Sequence, residues 1–303
     1  MKSNSRRFAA VDILYILLMA LPILAAIVLK VLTTPASEGI SITGAQIYFT
    51  IPMPIQDLPI TAAQINSWLI ILSILGLCLY MTHGITAKGG SKRQHFAEWV
   101  VEQTEKMVDE SMGDFFAGYA PAIAAILALS AFSSLISLLG LFPPTSDINI
   151  VAGWAILVFI LITYYKLQGG LLNYLKGFTE PIFVMTPLNI LGEVATPISM
   201  AFRHYGNILS GSVIAVLVAS ALQGLSSLLF GWLPGVLGEI PFLQVGLPAI
   251  LSLYFDIFGS CMQAYIFAML TMLNVSGAMP FEAYEKRQQK KLEKKKQKLQ
   301  VNN

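Results

Sequence analysis

Residues 187–222, PLNILGEVATPISMAFRHYGNILSGSVIAVLVASAL, are almost wholly apolar and long enough to cross a bilayer, yet they carry Arg203 near their middle. An arginine at the centre of a membrane helix costs about 2.5–3.5 kcal/mol on insertion scales, and it keeps its proton under all ordinary conditions. Such a side chain faces protein or water and pairs with an anion. We interpret Arg203 as a functional residue; the alternative is a structural arginine paired with Glu193 or with backbone carbonyls.

Polar residues recur at three- and four-residue steps on both sides of this arginine. That spacing places side chains on one face of a helix. The residues concerned are Asn189, Glu193, Thr196, Ser199, Asn207 and Ser210. A polar stripe on an otherwise apolar helix predicts a pathway for an ion or a substrate, because charges inside a membrane are functional by default.

The composition indicates a membrane protein that crosses the bilayer several times. Of the 303 residues, 55% are hydrophobic and 12% are charged, whereas soluble domains average about 25% charged residues. Cys78 and Cys261 lie in apolar segments, so no disulfide framework is indicated. The sequence contains no nucleotide-binding loop, metal cluster or nucleophile constellation, so we expect no enzyme activity, cofactor, metal or nucleic-acid partner of its own.

Hydropathy predicts an all-α protein with about six transmembrane segments. They are residues 11–32, 65–83, 119–141, 148–165, 179–222 and 241–275. The last two exceed the roughly 20 residues that a crossing needs, which predicts a long, tilted C-terminal helical hairpin. The expected units are 1–64 (anchor span and external loop), 65–118 (second span and amphipathic helix), 119–178 (helical hairpin), 179–277 (ion-pathway hairpin) and 278–303 (basic tail).

One amphipathic helix is expected in the interface of the membrane, between the second and third spans. Its apolar residues recur at helical spacing between carboxylates; they are Phe96, Trp99, Val100, Met107 and Val108. An ordinary soluble helix is the weaker alternative, because a tryptophan suits the level of the lipid headgroups. Before this segment, residues 33–64 form a polar loop punctuated by proline and free of Lys and Arg.

Basic residues alternate between the two sides of the predicted spans. They occur before the first span, in the second and fourth loops and after the sixth span, while the three other loops contain none. By the positive-inside rule, both termini are cytoplasmic. The tail at 286–298, which carries eight basic residues, is then a topology anchor attracted to anionic lipid. Contact with another protein is the alternative for this tail.

This topology arranges the polar residues in two lanes that meet at Arg203. Asp256 and Gln263 on the sixth span are seven residues apart, so they share a face and lie about 10 Å apart along the axis. The outer lane contains Asp256, Ser210, Ser212, Asn207 and Gln263, and the inner lane contains Glu193, Thr196 and Asn189.

Three motifs in this order resemble subunit a of the F-type ATP synthase membrane sector. FRHYGNILSG at 202–211 is similar to that family's R-L-F-G-N-x-x-x-G signature, and QAYIFAMLT at 263–271 is similar to Q-A-F-I-F-x-x-L-T. LFPPTSDIN at 141–149 is similar to the L-P-x-T-x-D-x-N loop. The resemblance covers about residues 66–277.

The resemblance implies a stator subunit of a rotary ATP synthase in a bacterial plasma membrane. Such a subunit forms two offset ion half-channels against a rotating ring of c subunits, each with one lipid-buried carboxylate. The resemblance implies that Arg203 pairs with each ring carboxylate in turn, with Gln263 opposite it and Asn207 as its partner in the motif. The implied partners are the c-subunit ring, the peripheral-stalk b subunits, indirectly the soluble ATP-forming head, and anionic lipid.

The chain departs from the family at several positions. Ser212 and Asp256 stand where many members have two titratable groups, so Asp256 alone would relay ions in the outer lane. His204 replaces an apolar residue, and we interpret it as packed rather than as a relay. The span at 11–32 is an addition relative to shorter members, interpreted as a peripheral anchor. The sequence leaves open whether the ion is H⁺ or Na⁺, and a secondary transporter or a structural anchor remains as an alternative.

Overall fold

The computed structural model describes residues 2–33, 44–54, 56–86, 91–179, 182–230, 250, 253–282, 284–286 and 289, with side chains from residue 10 onward and not for residue 230. Six helical segments are long and apolar enough to cross a membrane, as predicted. The helices that build them are α1 (Lys2–Thr33), α2 (Ala62–Thr82), α4 (Ala120–Leu135), α5 (Ile148–Gln168), α7 (Thr186–Phe230) and α8 (Ser260–Gly277). The protein is therefore an all-α polytopic membrane protein.

The added first helix packs tightly along α2. A Cβ atom placed on Gly76 would lie 2.6 Å from the backbone nitrogen of Met19 and 2.9 Å from the carbonyl carbon of Leu18. Only glycine permits such an approach of two backbones. At one end of the pair, Asp12 accepts a hydrogen bond from Arg93 at 3.0 Å and lies 2.8 Å from Nδ1 of His83. The helix α1 is thus an integral part of the bundle.

The loop between the first two spans contains a β-hairpin that the sequence analysis described only as a polar loop. Strand β1 (Ile47–Ile51) pairs antiparallel with β2 (Leu58–Thr61), from Ile47 opposite Thr61 to Ile51 opposite Leu58. The β-branched and aromatic residues of IYFTI favour a strand. Pro59 is tolerated because both strands of a two-stranded sheet are edges.

Helix α3 (Lys92–Met112) is the predicted amphipathic helix. Its first turn is capped by the Ser91 hydroxyl, which accepts a hydrogen bond from the backbone N–H of Gln94 at 3.3 Å. The apolar residues divide between two faces: Phe96 and Trp99 are exposed, whereas Val108 is buried in the core. The exposed aromatic rings stand 6.0 Å apart and suit the interface of a membrane.

The core lies where α3, α4, α5, α7 and α8 meet. A 3-10 turn, Asp114–Tyr119, leads into α4, and another, Ile136–Leu139, follows it. The Asp147 carboxylate caps α5 by accepting a hydrogen bond from the N–H of Asn149 at 2.9 Å. The most deeply buried apolar residues of this core are Phe116, Ile123, Val151, Ala268, Met272 and Val275.

Helix α7 extends over 45 residues, or about 68 Å at 1.5 Å per residue. The hydrocarbon layer is only about 30 Å thick. A helix of this length therefore either tilts strongly or extends well beyond the layer. It starts later than predicted, since α6 (Leu171–Thr179) and the 3-10 turn Phe183–Met185 occupy the preceding residues. Pro187 suits the first turn of a helix, where its missing N–H is not needed.

The C-terminal span contains a π-helical turn, Phe255–Gly259, which follows helical residues 253–254 and continues as α8. Residues 241–249 and 251–252 of the predicted sixth span lie outside the described residues. The helices alternate in direction, so α3 and α6 lie at one end of the bundle and the β-hairpin at the other. We call these ends the basic side and the hairpin side.

Candidate functional site

Arg203 projects from α7 with an exposed side chain. Within the described part of the chain it has neither an ion pair nor a hydrogen bond to its guanidinium group. The alternative of a structural arginine paired with Glu193 is therefore wrong, because that carboxylate binds a different cation. A permanently charged side chain in a membrane span remains available to an anion outside this chain.

Glu193 is held by Lys166 at the end of α5. The ammonium nitrogen lies 2.6 Å from Oε2, and the side chain of Glu193 is 12% exposed. Tyr174 of α6 donates a further hydrogen bond to Oε1 at 3.4 Å. Burial raises the pKa of the Tyr174 hydroxyl, and the neighbouring carboxylate raises it further, so this tyrosine remains a neutral donor.

Two adjoining cavities open on the basic side, with volumes of about 290 and 440 Å³. Lys166 and Glu193 line both, so their ion pair stands at the shared wall. Thr196 lines the first cavity, and Asn189 lines the second. The structure thus brings together the three residues of the predicted inner lane and adds Lys166, Tyr174 and Asn274, which also line these cavities.

A larger cavity of about 760 Å³ opens on the hairpin side. Ser212 and Asp256 line it, as the outer lane predicts, whereas Asn207, Ser210 and Gln263 are not among its lining residues. Much of its polar wall comes from elements that the sequence analysis did not connect with the site. These residues are Lys30 of α1, Gln46 and Tyr48 of the hairpin segment and Asn66 of α2, and Tyr205 of α7 joins them.

Asp256 lies in the π-helical turn rather than in a regular α-helix. A π-turn contains an extra residue, so the seven-residue spacing to Gln263 no longer places both side chains on one face. Asp256 is half-buried beside the cavity, while Gln263 is 5% exposed and packed inside the bundle. The expectation of a shared face therefore does not hold, and its physical reason is the wide turn that precedes α8.

The register between α7 and α8 follows from two contacts. Asn207 donates a hydrogen bond from Nδ2 to the carbonyl oxygen of Gly259 at 3.1 Å. Gly211, four residues after Asn207, approaches Phe255, four residues before Gly259. The Cβ of Phe255 lies 3.6 Å from the place that a Cβ on Gly211 would occupy. If this register continues for four more residues in the other direction, Arg203 lies level with Gln263, and this pairing stays a prediction.

The polar stripe on α7 is buried along one edge and exposed along the other. Asn189, Glu193 and Thr196 are half-buried against the bundle, whereas Ser199 and Ser210 are exposed beside Arg203. At 100° per residue all these positions stay within about 120° around the helix, and Ser199, Arg203 and Ser210 lie at the edge that faces away from the bundle. The arginine consequently looks outward, while the inner polar residues look into the basic-side cavities.

An apolar plug separates the cavities of the two sides. His204 is fully buried, with its ring 5.4 Å from that of Phe267 and 5.9 Å from that of Trp154. Its Nε2 lies 3.4 Å from the hydroxyl of Ser130. The histidine is packed, as interpreted from the sequence, and the cavities on the two sides share no lining residue among those that the structure describes.

Lys166 and Lys30 are the charged residues of the cavities that the sequence analysis did not single out. Both stand near the end of an apolar span, where lysine usually reaches the headgroups and has no partner inside the protein. Only the arrangement of the helices shows that they turn inward. The sequence pattern of spans and loops therefore places these lysines near the ends of spans, but it does not predict which residues they contact.

Known proteins support the resemblance. A family model described as ATP synthase A chain matches residues 64–276. ATP synthase subunit a 3 of Pelobacter propionicus is 32% identical over 219 residues, which cover 70% of this chain and 85% of that protein. ATP synthase subunit a of Geobacter sulfurreducens is 31% identical over 218 residues, with the same two coverages.

A further relative, named ATP synthase subunit a, sodium ion specific, comes from Propionigenium modestum. It is 24% identical over 270 residues, which cover 78% of this chain and 86% of that protein. These matches overturn the alternatives of a secondary transporter and of a purely structural anchor. The chain belongs to the family of F-type ATP synthase subunit a, whose members are ion-translocating stator components of the synthase membrane sector and not catalytic subunits by themselves.

Proposed function

We propose that this chain conducts its ion along two half-channels that end on opposite sides of Arg203. The cavity on the hairpin side, with Asp256 and Ser212, is the outer half-channel. The cavities on the basic side, with Glu193, Thr196 and Asn189, are the inner one. A ring of c subunits moves past the exposed face of α7, receives an ion from the outer half-channel and releases it to the inner one.

The observation that carries this proposal is the position of Arg203. Its side chain is exposed, is free of partners among the described residues and stands along α7 between Thr196 and Ser212, which line cavities of opposite sides. From Thr196 to Arg203 the helix rises about 10 Å, and from Arg203 to Ser212 about 14 Å. An anion that pairs with the arginine therefore lies between the inner ends of the two half-channels.

A carboxylate on the rotor is the anion that this site suits. A nearby cation lowers the pKa of a carboxylate by about one to three units, which favours release of its proton on the inner side. At an effective dielectric near 20, opposite charges 4 Å apart attract by roughly 4 kcal/mol. A potential of 100 mV supplies about 2.3 kcal/mol per charge, so the contact holds the rotor without trapping it.

The buried plug around His204 supports a pathway that requires the rotor. An ion that entered by Asp256 would meet Trp154 and Phe267 before it reached the basic side. The positive charge of Arg203 also opposes a free cation at this level of the membrane. Ions would then cross only on the carboxylates of the ring, which couples ion flow to rotation.

The proposed setting is a bacterial plasma membrane with the basic side in the cytoplasm. Lys166 and Lys176 lie in the last turns of α5 and α6 on that side, and Lys106 lies within α3, as the positive-inside rule requires. The proposed partners are the c-subunit ring, the peripheral-stalk b subunits, anionic lipid at the basic tail and, indirectly, the soluble head. ATP forms in that head, since we assign no nucleotide site to this chain. The ion is H⁺ or Na⁺, and dependence of ATP hydrolysis on added Na⁺ distinguishes the two.

The test is ATP-driven ion pumping by the complete synthase in inverted membrane vesicles. Arg203→Ala should abolish pumping while the complex assembles, and Arg203→Lys should restore little, because lysine lacks the planar guanidinium and deprotonates when buried. Lys106→Ala is the control, since that exposed lysine lies in α3 and lines none of the three cavities. Pumping by an assembled Arg203→Ala complex would reject the proposed role.

A further inference from the structure

The helix α1 closes one side of the outer cavity. Ala26 and Lys30 line this cavity together with Asp256, although α1 precedes the region that matches the family model, residues 64–276. The helix is held there along its length, by Asp12 at one end and by the close approach to Gly76 in the middle. A helix fixed in this way is a wall of the cavity and not only an anchor.

Lys30 has an exposed side chain that lines the cavity. Its ammonium group donates a hydrogen bond to the carbonyl oxygen of Gly140, in the turn after α4. A Cβ on Gly140 would lie 3.5 Å from the same nitrogen, which is a second indication that the charge lies beside this turn. Gly140 has φ of 70°, a backbone conformation that favours glycine and exposes the carbonyl group to the lysine.

Of the described residues that line the cavity, Lys30 and Asp256 carry a charge, and their charges are opposite. A fixed positive charge offsets the attraction of the carboxylate for cations and lowers their local concentration. The other polar residues described in this lining are uncharged and include Gln46, Asn66 and Ser146. The balance of these two charges therefore decides how strongly the cavity concentrates the ion that it receives.

We propose that Lys30 tunes the apparent cation affinity of the outer half-channel and so sets the outer cation concentration needed for half-maximal ion uptake. This inference rests on the proposed function of the cavity as the entry path. A unit charge about 8 Å from the path, at an effective dielectric between about 45 and 80, changes the local cation concentration about two- to fivefold. The effect acts on entry from the outer side alone, and salt screens it.

The experiment uses the complete synthase in liposomes, with the soluble head outside, so that the outer cavity faces the lumen. ATP synthesis is driven by increasing luminal concentrations of the transported cation, at about 10 mM and about 0.5 M choline chloride. Screening lengths are then about 30 and 4 Å. Lys30→Gln should lower the half-saturating luminal concentration about two- to fivefold at low salt, leave the maximal rate unchanged and match wild type at high salt. Lys30→Arg should behave as wild type.

A second variant separates charge from structure. Ser146→Lys combined with Lys30→Gln returns a positive charge to the lining without the bond to Gly140, and it should restore the wild-type half-saturating concentration. A merely structural lysine would change the maximal rate, would shift the concentration equally at both salt levels, or would resist this rescue, and any of these results overturns the proposal. Failure of the proposed function would be visible separately, as wild-type synthase that does not respond to the luminal cation.

Discussion

Lys166 and Glu193 join α5 to α7 through an ion pair of 2.6 Å at the wall between the two basic-side cavities. The carboxylate is the more buried partner, with 12% of its side chain exposed against 32% for the lysine. A half-buried pair of this kind is costly to break on one side only, because the remaining charge has lost its partner and is still poorly hydrated. The pair therefore fixes the start of α7 relative to the rest of the bundle.

We expect Lys166→Met to destabilise subunit a by about 1–2 kcal/mol, less than the 3–5 kcal/mol typical of a fully buried pair because the lysine is partly hydrated. Lys166→Met combined with Glu193→Gln should be more stable than Lys166→Met alone, since no unpaired charge remains. Thermal loss of subunit a from the purified complex measures both. The exposed pair of Lys106 and Glu110, 3.9 Å apart, is the matched control, and its removal should have little effect. Equal stability of the single and double Lys166 variants would contradict the explanation.

The contact of α1 with α2 yields a second prediction. Gly76→Val places a branched side chain against the backbone of Met19 and Leu18, which cannot move aside as a flexible side chain could. We expect destabilisation by about 1–3 kcal/mol, the usual cost of overpacking, and a looser α1. Limited proteolysis near residue 33 and thermal aggregation of the complex measure the two effects.

Gly153→Ala in α5 is the control for this substitution. A Cβ on Gly153 meets nothing within 4 Å, and alanine favours a helix more than glycine does. This variant should be unchanged or slightly more stable than wild type. If Gly76→Val were as stable as Gly153→Ala, the close approach of α1 to α2 would not contribute to the fold.

The apolar spans were predictable from the sequence because their signal is local. A continuous apolar run needs no knowledge of its neighbours, and the absence of basic residues from alternate loops orders the runs across the membrane. The β-hairpin was not predicted, since the strand IYFTI is short and shows no strong alternation of polar and apolar residues. A proline-rich turn also separates it from its partner strand. The π-turn at Asp256 was also missed, because an extra residue in a helix leaves no pattern in the sequence.

The rest of the site could not be predicted from the sequence, because it depends on contacts between residues that are far apart in the chain. Arg203 stands out alone, as a charge inside an apolar run, and needs no partner to be noticed. Lys166 and Lys30, by contrast, resemble ordinary residues at the ends of spans. Their positions at the cavities result from the packing of α5 against α7 and of α1 against α2. Periodicity and charge patterns in the sequence do not predict this packing.

The orientation in the membrane can be tested with single cysteines. In a chain in which Cys78 and Cys261 are replaced by serine, Thr50→Cys marks the hairpin side and Lys106→Cys marks the basic side, and both positions are exposed. An impermeant maleimide added to intact cells should label the first cysteine and not the second, because the basic side is expected in the cytoplasm. Inverted vesicles should give the opposite result, and labelling of Lys106→Cys in intact cells would reverse the proposed topology.

His204 provides the last prediction, since its burial distinguishes packing from proton transfer. The ring lies against Trp154 and Phe267, and its Nδ1 has no hydrogen-bond partner. His204→Leu fills a similar volume with apolar atoms, so we expect an assembled synthase that still pumps ions. His204→Ala leaves a gap in the plug between the outer and inner cavities, with a loss of about 2–4 kcal/mol in stability and a larger passive ion leak. ATP-driven pumping and leak through vesicles stripped of the soluble head measure both variants. An assembled His204→Leu synthase that failed to pump would show instead that the imidazole carries the ion.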